Sequence, residues 1–95
     1  MLVAAVLKVK TGTIAERVAR RAQWEYPEGA NPVAEYWLQS TDPSIPNVVA
    51  LYEADEIAPI MASIAAWDDV FDITVVPAVT SDEGLKLAQQ MMQPQ

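Results

Sequence analysis

The sequence predicts an α+β domain in which a four-stranded antiparallel sheet carries two helices on one face, with an extra helix after the last strand. Three observations lead there. The apolar pattern changes period along the chain in the order strand, helix, strand, strand, helix, strand. The first and third strand segments are apolar on both sides, as central strands are. The chain has 95 residues, enough for a single domain with one modest core.

Leu2 to Lys10 reads as the first strand, short, rich in Val and Leu, and closed by Thr11-Gly12. Val3, Ala5, Leu7 and Val9 form one face, and Leu2, Ala4 and Val6 the other. Thr13 to Ala22 reads as a helix opened by a capping box between Thr13 and Glu16. Its inward stripe is Ile14, Ala15, Val18, Ala19 and Ala22, and Arg20 and Arg21 fall in its last turn, where cations complement the helix dipole. Trp24 to Pro32 is a connection with two prolines and Gly29. Val33 to Gln39 then alternates Val33, Glu35, Trp37 and Gln39 against the apolar set Ala34, Tyr36 and Leu38.

Ser40 to Asn47 is a long hairpin loop, and Val48 to Glu53 is a strand apolar on both faces. Asp55 is a candidate N-cap for a helix reaching Ala66, unless Pro59 moves the start toward Ala58. Ile57, Ile60, Met61, Ile64 and Ala65 form its predicted inward stripe, while Pro59, Ala62, Ser63 and Ala66 make an opposite side without charge. Asp72 to Val76 is the fourth strand, ended by Pro77 and suited to an edge. Ser81 caps a last short helix with Leu85, Ala88, Met91 and Met92 as its apolar stripe, a candidate cover for the uncharged side of the second helix.

This order is the split βαβ of ferredoxin-like folds, whose first and third strands are central. One domain spans 1–95, with a core over 1–80 and a C-terminal helix and tail over 81–95. Helices on one face leave the other face of the sheet apolar and bare. A second sheet is the economical cover, so the expected assembly is a homodimer through sheet-to-sheet packing, a dimeric α/β barrel. Its cost in composition is visible: 52% of residues are apolar.

Charge and side-chain chemistry narrow the functions. There is no His and no Cys, which removes Cys/His zinc sites, thiol nucleophiles, imidazole-based triads and disulfides. A net charge of −7 argues against nucleic acid or an anionic membrane as partner. Residues 1–21 hold five of the six basic groups, so the basic start and acidic remainder are expected to neutralise each other within the fold or between subunits. The opening MLVAAVLK is neither a signal peptide nor a membrane span, which places the expected location in the cytoplasm.

The stretch WDDVFDITVVPAVTSDEG, Trp67 to Gly84, resembles the closing segment of the domain-of-unknown-function 3303 proteins, and PEGANPVAEYW, Pro27 to Trp37, is similar to that family's Pro-Glu-Gly followed by a strand containing Trp. Asn31-Pro32 and the long Ser40 to Asn47 loop depart from the family pattern. The resemblance implies the dimeric α/β-barrel architecture and brings no established activity or catalytic set. In that larger superfamily, which includes cofactor-independent monooxygenases, isomerases and cyclases as well as ligand sensors, the pocket lies between the sheet and its own helices.

The candidate ligand-binding residues are therefore Trp24 and Trp67, where helices end, with Tyr36 as a third contact, Arg20 or Asp69 as polar orienter, and some of Tyr26, Trp37 and Tyr52 as further lining. The alternative is that the rings simply close the core. Asp68, Asp69 and Asp72 form a solvated or Arg-paired turn, a hard-cation site or a general acid or base. No catalytic residue is assigned, and neither a metal nor an organic cofactor is expected. The functional expectation is a barrel that binds a small apolar or aromatic molecule, with or without cofactor-independent catalysis; the alternative is a non-catalytic structural or regulatory oligomerisation module.

Overall fold

In the computed structural model, which describes residues 1–93, the chain runs β1 (Leu2–Val9), α1 (Ile14–Gln23), β2 (Asn31–Trp37), β3 (Val48–Glu53), α2 (Ile57–Trp67), β4 (Phe71–Pro77) and α3 (Ser81–Met92). The last two residues of the tail predicted over 81–95 lie outside the described residues. The sheet has the order β2-β3-β1-β4 with all neighbours antiparallel. The two strands apolar on both sides are its centre, and the strands carrying Glu35 and Asp72 are its edges. The fold is the predicted ferredoxin-like α+β arrangement.

Register assigns each side chain to a face. Val3, Ala5 and Leu7 of β1 lie beside Tyr52, Ala50 and Val48 of β3 and beside Pro77, Val75 and Ile73 of β4. This face meets the helices, and the core forms on it from Val3, Ala5, Ala50 and Tyr52 with Ala30, Ala54 and Ile60. The opposite face presents Ala4 and Val6 of β1, Val49 and Leu51 of β3, Ala34 and Tyr36 of β2, and Thr74 and Val76 of β4. No element of the described chain lies over it.

The capping box of α1 is present: the Glu16 N–H donates to Thr13 Oγ1 at 3.2 Å and the Thr13 N–H to Glu16 Oε2 at 3.5 Å. The side of α1 over the sheet is narrower and more polar than predicted, Ile14, Arg17, Val18 and Arg21 at spacings of three and four, and no residue of this helix is buried. A turn closed by the Ala30 N–H on the Pro27 carbonyl, with Gly29 at φ +92°, leads into β2. Between Pro32 and Ala34 the register of β2 shifts at a bulge. The loop to β3 is closed by the Leu38 N–H on the Asn47 carbonyl, and Asn47 is tied to β1 through Val9 and Leu7.

Two sequence expectations about α2 are corrected. Its N-cap is Glu56, not Asp55, and no side chain caps it. Pro59 stands at the third helical position and has no N–H to donate to a capping side chain. The inward stripe is Pro59, Ile60, Ser63, Ile64 and Trp67, while Ile57 and Met61 are exposed. A helix apolar all round has no polar side to mark its orientation.

Helix α3 is N-capped by Thr80, whose Oγ1 accepts from the Glu83 N–H, and it does not cover α2. None of its residues is buried, and Leu85, Leu87, Met91 and Met92 are exposed. The chain accordingly exposes 6846 Å², against about 5400 Å² for a compact monomer of this mass. Its radius of gyration is 15.7 Å, where about 12 Å is usual.

Candidate functional site

Between the helix-side face of the sheet and the two helices α1 and α2 lies a chamber of about 310 Å³. Its floor is Ala5, Leu7, Ala50, Ile73 and Val75, small or branched residues of three strands. Ile14 and Val18 wall it from α1, and Ile64 and Trp67 from α2. The small floor residues leave room that larger side chains would have filled, and the size is at the lower end for small-molecule sites.

Five aromatic rings line it in an unbroken series. Phe71 lies 5.8 Å from Trp67, Trp67 5.9 Å from Trp24 at an edge-on 79°, Trp24 5.8 Å from Tyr26, and Tyr26 6.1 Å from Tyr52. These separations and tilts are those of favourable aromatic pairs. The connection between α1 and β2 supplies Trp24 and Tyr26, and the end of α2 supplies Trp67.

One charged cluster faces this apolar space. Glu35 of β2 accepts two bonds from Arg21 Nε, at 3.0 and 3.3 Å, and one from Arg21 Nη2 at 3.2 Å. It also accepts from the Tyr26 hydroxyl at 3.1 Å and from Trp37 Nε1 at 2.7 Å. Partial burial pulls the Glu35 carboxyl up, but the bonds from Arg21, Trp37 and Tyr26 together with the Arg21 charge outweigh it and hold the group below its ordinary value. Burial, and then the neighbouring Glu35 charge, push the Tyr26 phenol up to about 12. The cluster is thus a carboxylate with its lone pairs occupied, a paired guanidinium and a neutral phenol.

The sequence candidates divide. Trp24 and Trp67 line the chamber. Tyr36 does not: it pairs with Val49 on the bare face of the sheet and is 58% exposed, because it alternates with Glu35 and Trp37, which point to the helices. Arg20 and Asp69 also stand outside the chamber walls. They form an exposed ion pair at 3.0 Å, and Arg20 lies 4.7 Å over the Trp67 ring and donates to the Ala66 carbonyl. Arg20 thereby offsets the negative end of α2, and its hydrogen bond holds the Asp69 carboxyl below its ordinary value. Among the described residues no three acidic groups gather as a metal site, so Asp68, Asp69 and Asp72 do not converge.

Of the other rings the sequence offers for the lining, Tyr26, Trp37 and Tyr52 face the chamber, whereas Arg21 and Glu35 were missed as chamber residues. The signal for Glu35 was present in the alternation of β2, whose polar side had been read as the solvent side.

A family model described as Domain of unknown function (DUF3303) matches residues 2–92. No curated protein and no solved structure matches the chain.

Proposed function

This chain belongs to the DUF3303 family, and from that membership and the chamber we propose that it is a homodimeric α/β-barrel protein that binds a small apolar or aromatic molecule between its sheet and its helices. The observation that carries the binding reading is the chamber itself, lined by six aromatic side chains and holding an Arg21–Glu35 pair that neutralises itself. An occupied carboxylate held in its ionised form suits positioning and not proton transfer. The reading is therefore binding, with any cofactor-independent reaction secondary to it.

Titration with naphthalene, followed by amide NMR, tests this. Saturable shifts are expected at Trp24, Trp67 and Tyr26, and Val18→Trp, a larger side chain on an exposed chamber wall, is expected to weaken binding at least tenfold. Absence of saturable shifts, or shifts confined to the bare sheet face, would refute it.

The dimer reading rests on surface. The bare face of the sheet presents Val6, Val49, Leu51, Tyr36 and Val76 with no cover from the described chain. A second copy of the same bare face is self-complementary, apolar against apolar. Light scattering should give a dimer at micromolar concentration and a monomer for Val49→Glu; a monomeric parent protein would sink the reading. A second reading, an oligomerisation module without ligand, is favoured by the exposed apolar residues of α3 and by Ile57 and Met61 exposed on α2. Higher oligomers that dissociate on Ala62→Glu, in a protein whose chamber stays empty of naphthalene, would establish it instead.

A further inference from the structure

Tyr52 projects from the central strand β3 onto the helix-side face of the sheet, lines the chamber, and is 2% exposed. Among the described residues, its hydroxyl is the one fully buried side-chain polar atom with no hydrogen-bond partner. Folded proteins rarely leave such a group unpaired, because a buried donor without an acceptor loses its bonds to water and gains nothing in return. Its neighbour Tyr26, 6.1 Å away between ring centres, shows the contrast: that hydroxyl is committed to Glu35. The Tyr52 hydroxyl stands apart from the Arg21–Glu35 cluster and is not used by it.

We propose that the Tyr52 hydroxyl is the polar anchor of the chamber and selects aromatic molecules bearing one uncharged hydroxyl or carbonyl group. The inference rests on the binding reading above and adds the ligand's head group to it. A neutral phenol offers one donor and can accept as well, so it matches either group. Burial pushes the Tyr52 phenol up, which keeps it in the neutral form. The charged groups of the lining are already engaged: Arg21 and Glu35 neutralise each other at 3.0 Å, and Arg17 donates to the carbonyls of Thr11 and Gly12. The remaining walls are mostly apolar and aromatic, and their other polar residues, Gln39, Ser40, Asn47 and Ser63, each have a partner within the chain, so a ligand body without further polar groups suits them.

The test compares 2-naphthol with naphthalene on the full chain and on Tyr52→Phe, by amide NMR titration at pH 7. The parent protein should bind 2-naphthol about five- to tenfold more tightly than naphthalene, and Tyr52→Phe should abolish that preference. Without ligand, Tyr52→Phe should melt no lower than the parent, because the hydroxyl it removes has no partner. Equal binding of both compounds by the parent, or a preference that survives in Tyr52→Phe, overturns the anchor and leaves the chamber reading standing. So does a melting temperature lowered by more than about 5 °C, which would reveal an existing partner for the hydroxyl. Failure of both compounds to bind the parent overturns the chamber reading and the anchor with it.

Discussion

Replacing Glu35 with alanine removes the single acceptor on which three chamber side chains converge, and the loss can be worked out donor by donor. The Tyr26 hydroxyl, half-buried and bonded at 3.1 Å, is left without an acceptor, which costs about 1–2 kcal/mol. The Arg21 side chain is 36% exposed and recovers water on its free side, so the ion pair itself contributes at most about 1 kcal/mol. Trp37 is 49% exposed and its indole N–H rehydrates at little expense. Glu35→Ala is therefore expected to lower stability by about 2–3 kcal/mol, a fall in melting temperature of roughly 10–20 °C at fixed protein concentration. Glu35→Gln keeps an acceptor for Tyr26 and Trp37 and should cost about 1 kcal/mol.

The pH dependence of the same substitution has a fixed sign. In the folded protein the Glu35 carboxyl lies below its ordinary value of 4.5. Above pH 4.5 both states carry the carboxylate and the full contribution is present. As the pH falls below 4.5 the unfolded chain takes up the proton first, so the contribution drains away and is gone below the folded value. Urea denaturation of the parent and Glu35→Gln, followed by circular dichroism, should thus show a stability gap that is constant near neutrality and closes in acid. A Glu35→Ala protein within 0.5 kcal/mol of the parent, a roughly estimated floor for a lost hydrogen bond, would refute the account. So would a gap that widens in acid.

Other outcomes follow from particular contacts. Gly29→Ala should cost more than Gly12→Ala in urea denaturation: both residues have positive φ, +92° and +87°, but a Cβ on Gly29 would lie 2.8 Å from Pro59 Cγ, whereas one on Gly12 meets only ordinary contacts. Arg20→Ala should lower stability by about 1–2 kcal/mol and change the near-UV circular dichroism of Trp67, since Arg20 stacks on that ring as well as pairing with Asp69. Asp69→Asn, which removes only the exposed pair, should cost less than Arg20→Ala. Leu85→Lys on α3 should leave the amide shifts of the chamber residues unchanged, because α3 buries none of its residues against the sheet or the other helices.

The sequence by itself determined the order of elements, the central and edge strands, and the capping box of α1. These depend on local spacing and on whether one or both sides of a segment are apolar, and both properties are written in consecutive residues. The positions of Trp24 and Trp67 at helix ends also put them beside the space between sheet and helices, where both line the chamber. Only the tertiary structure decided which side of each element faces inward where the pattern was weak or misleading. Helix α2 has no charged side, so Met61 and Ser63 could not be told apart as outward and inward. In β2 the polar residue Glu35 looked solvent-facing, yet its charge is met by Arg21 from α1, fourteen residues away in the chain and 3.0 Å away in space. Tyr36, adjacent to it and more apolar, is turned to the bare face instead. A buried or half-buried charge is permitted only by its partner, and partners of this kind are made by the packing of distant elements, which no run of neighbouring residues encodes.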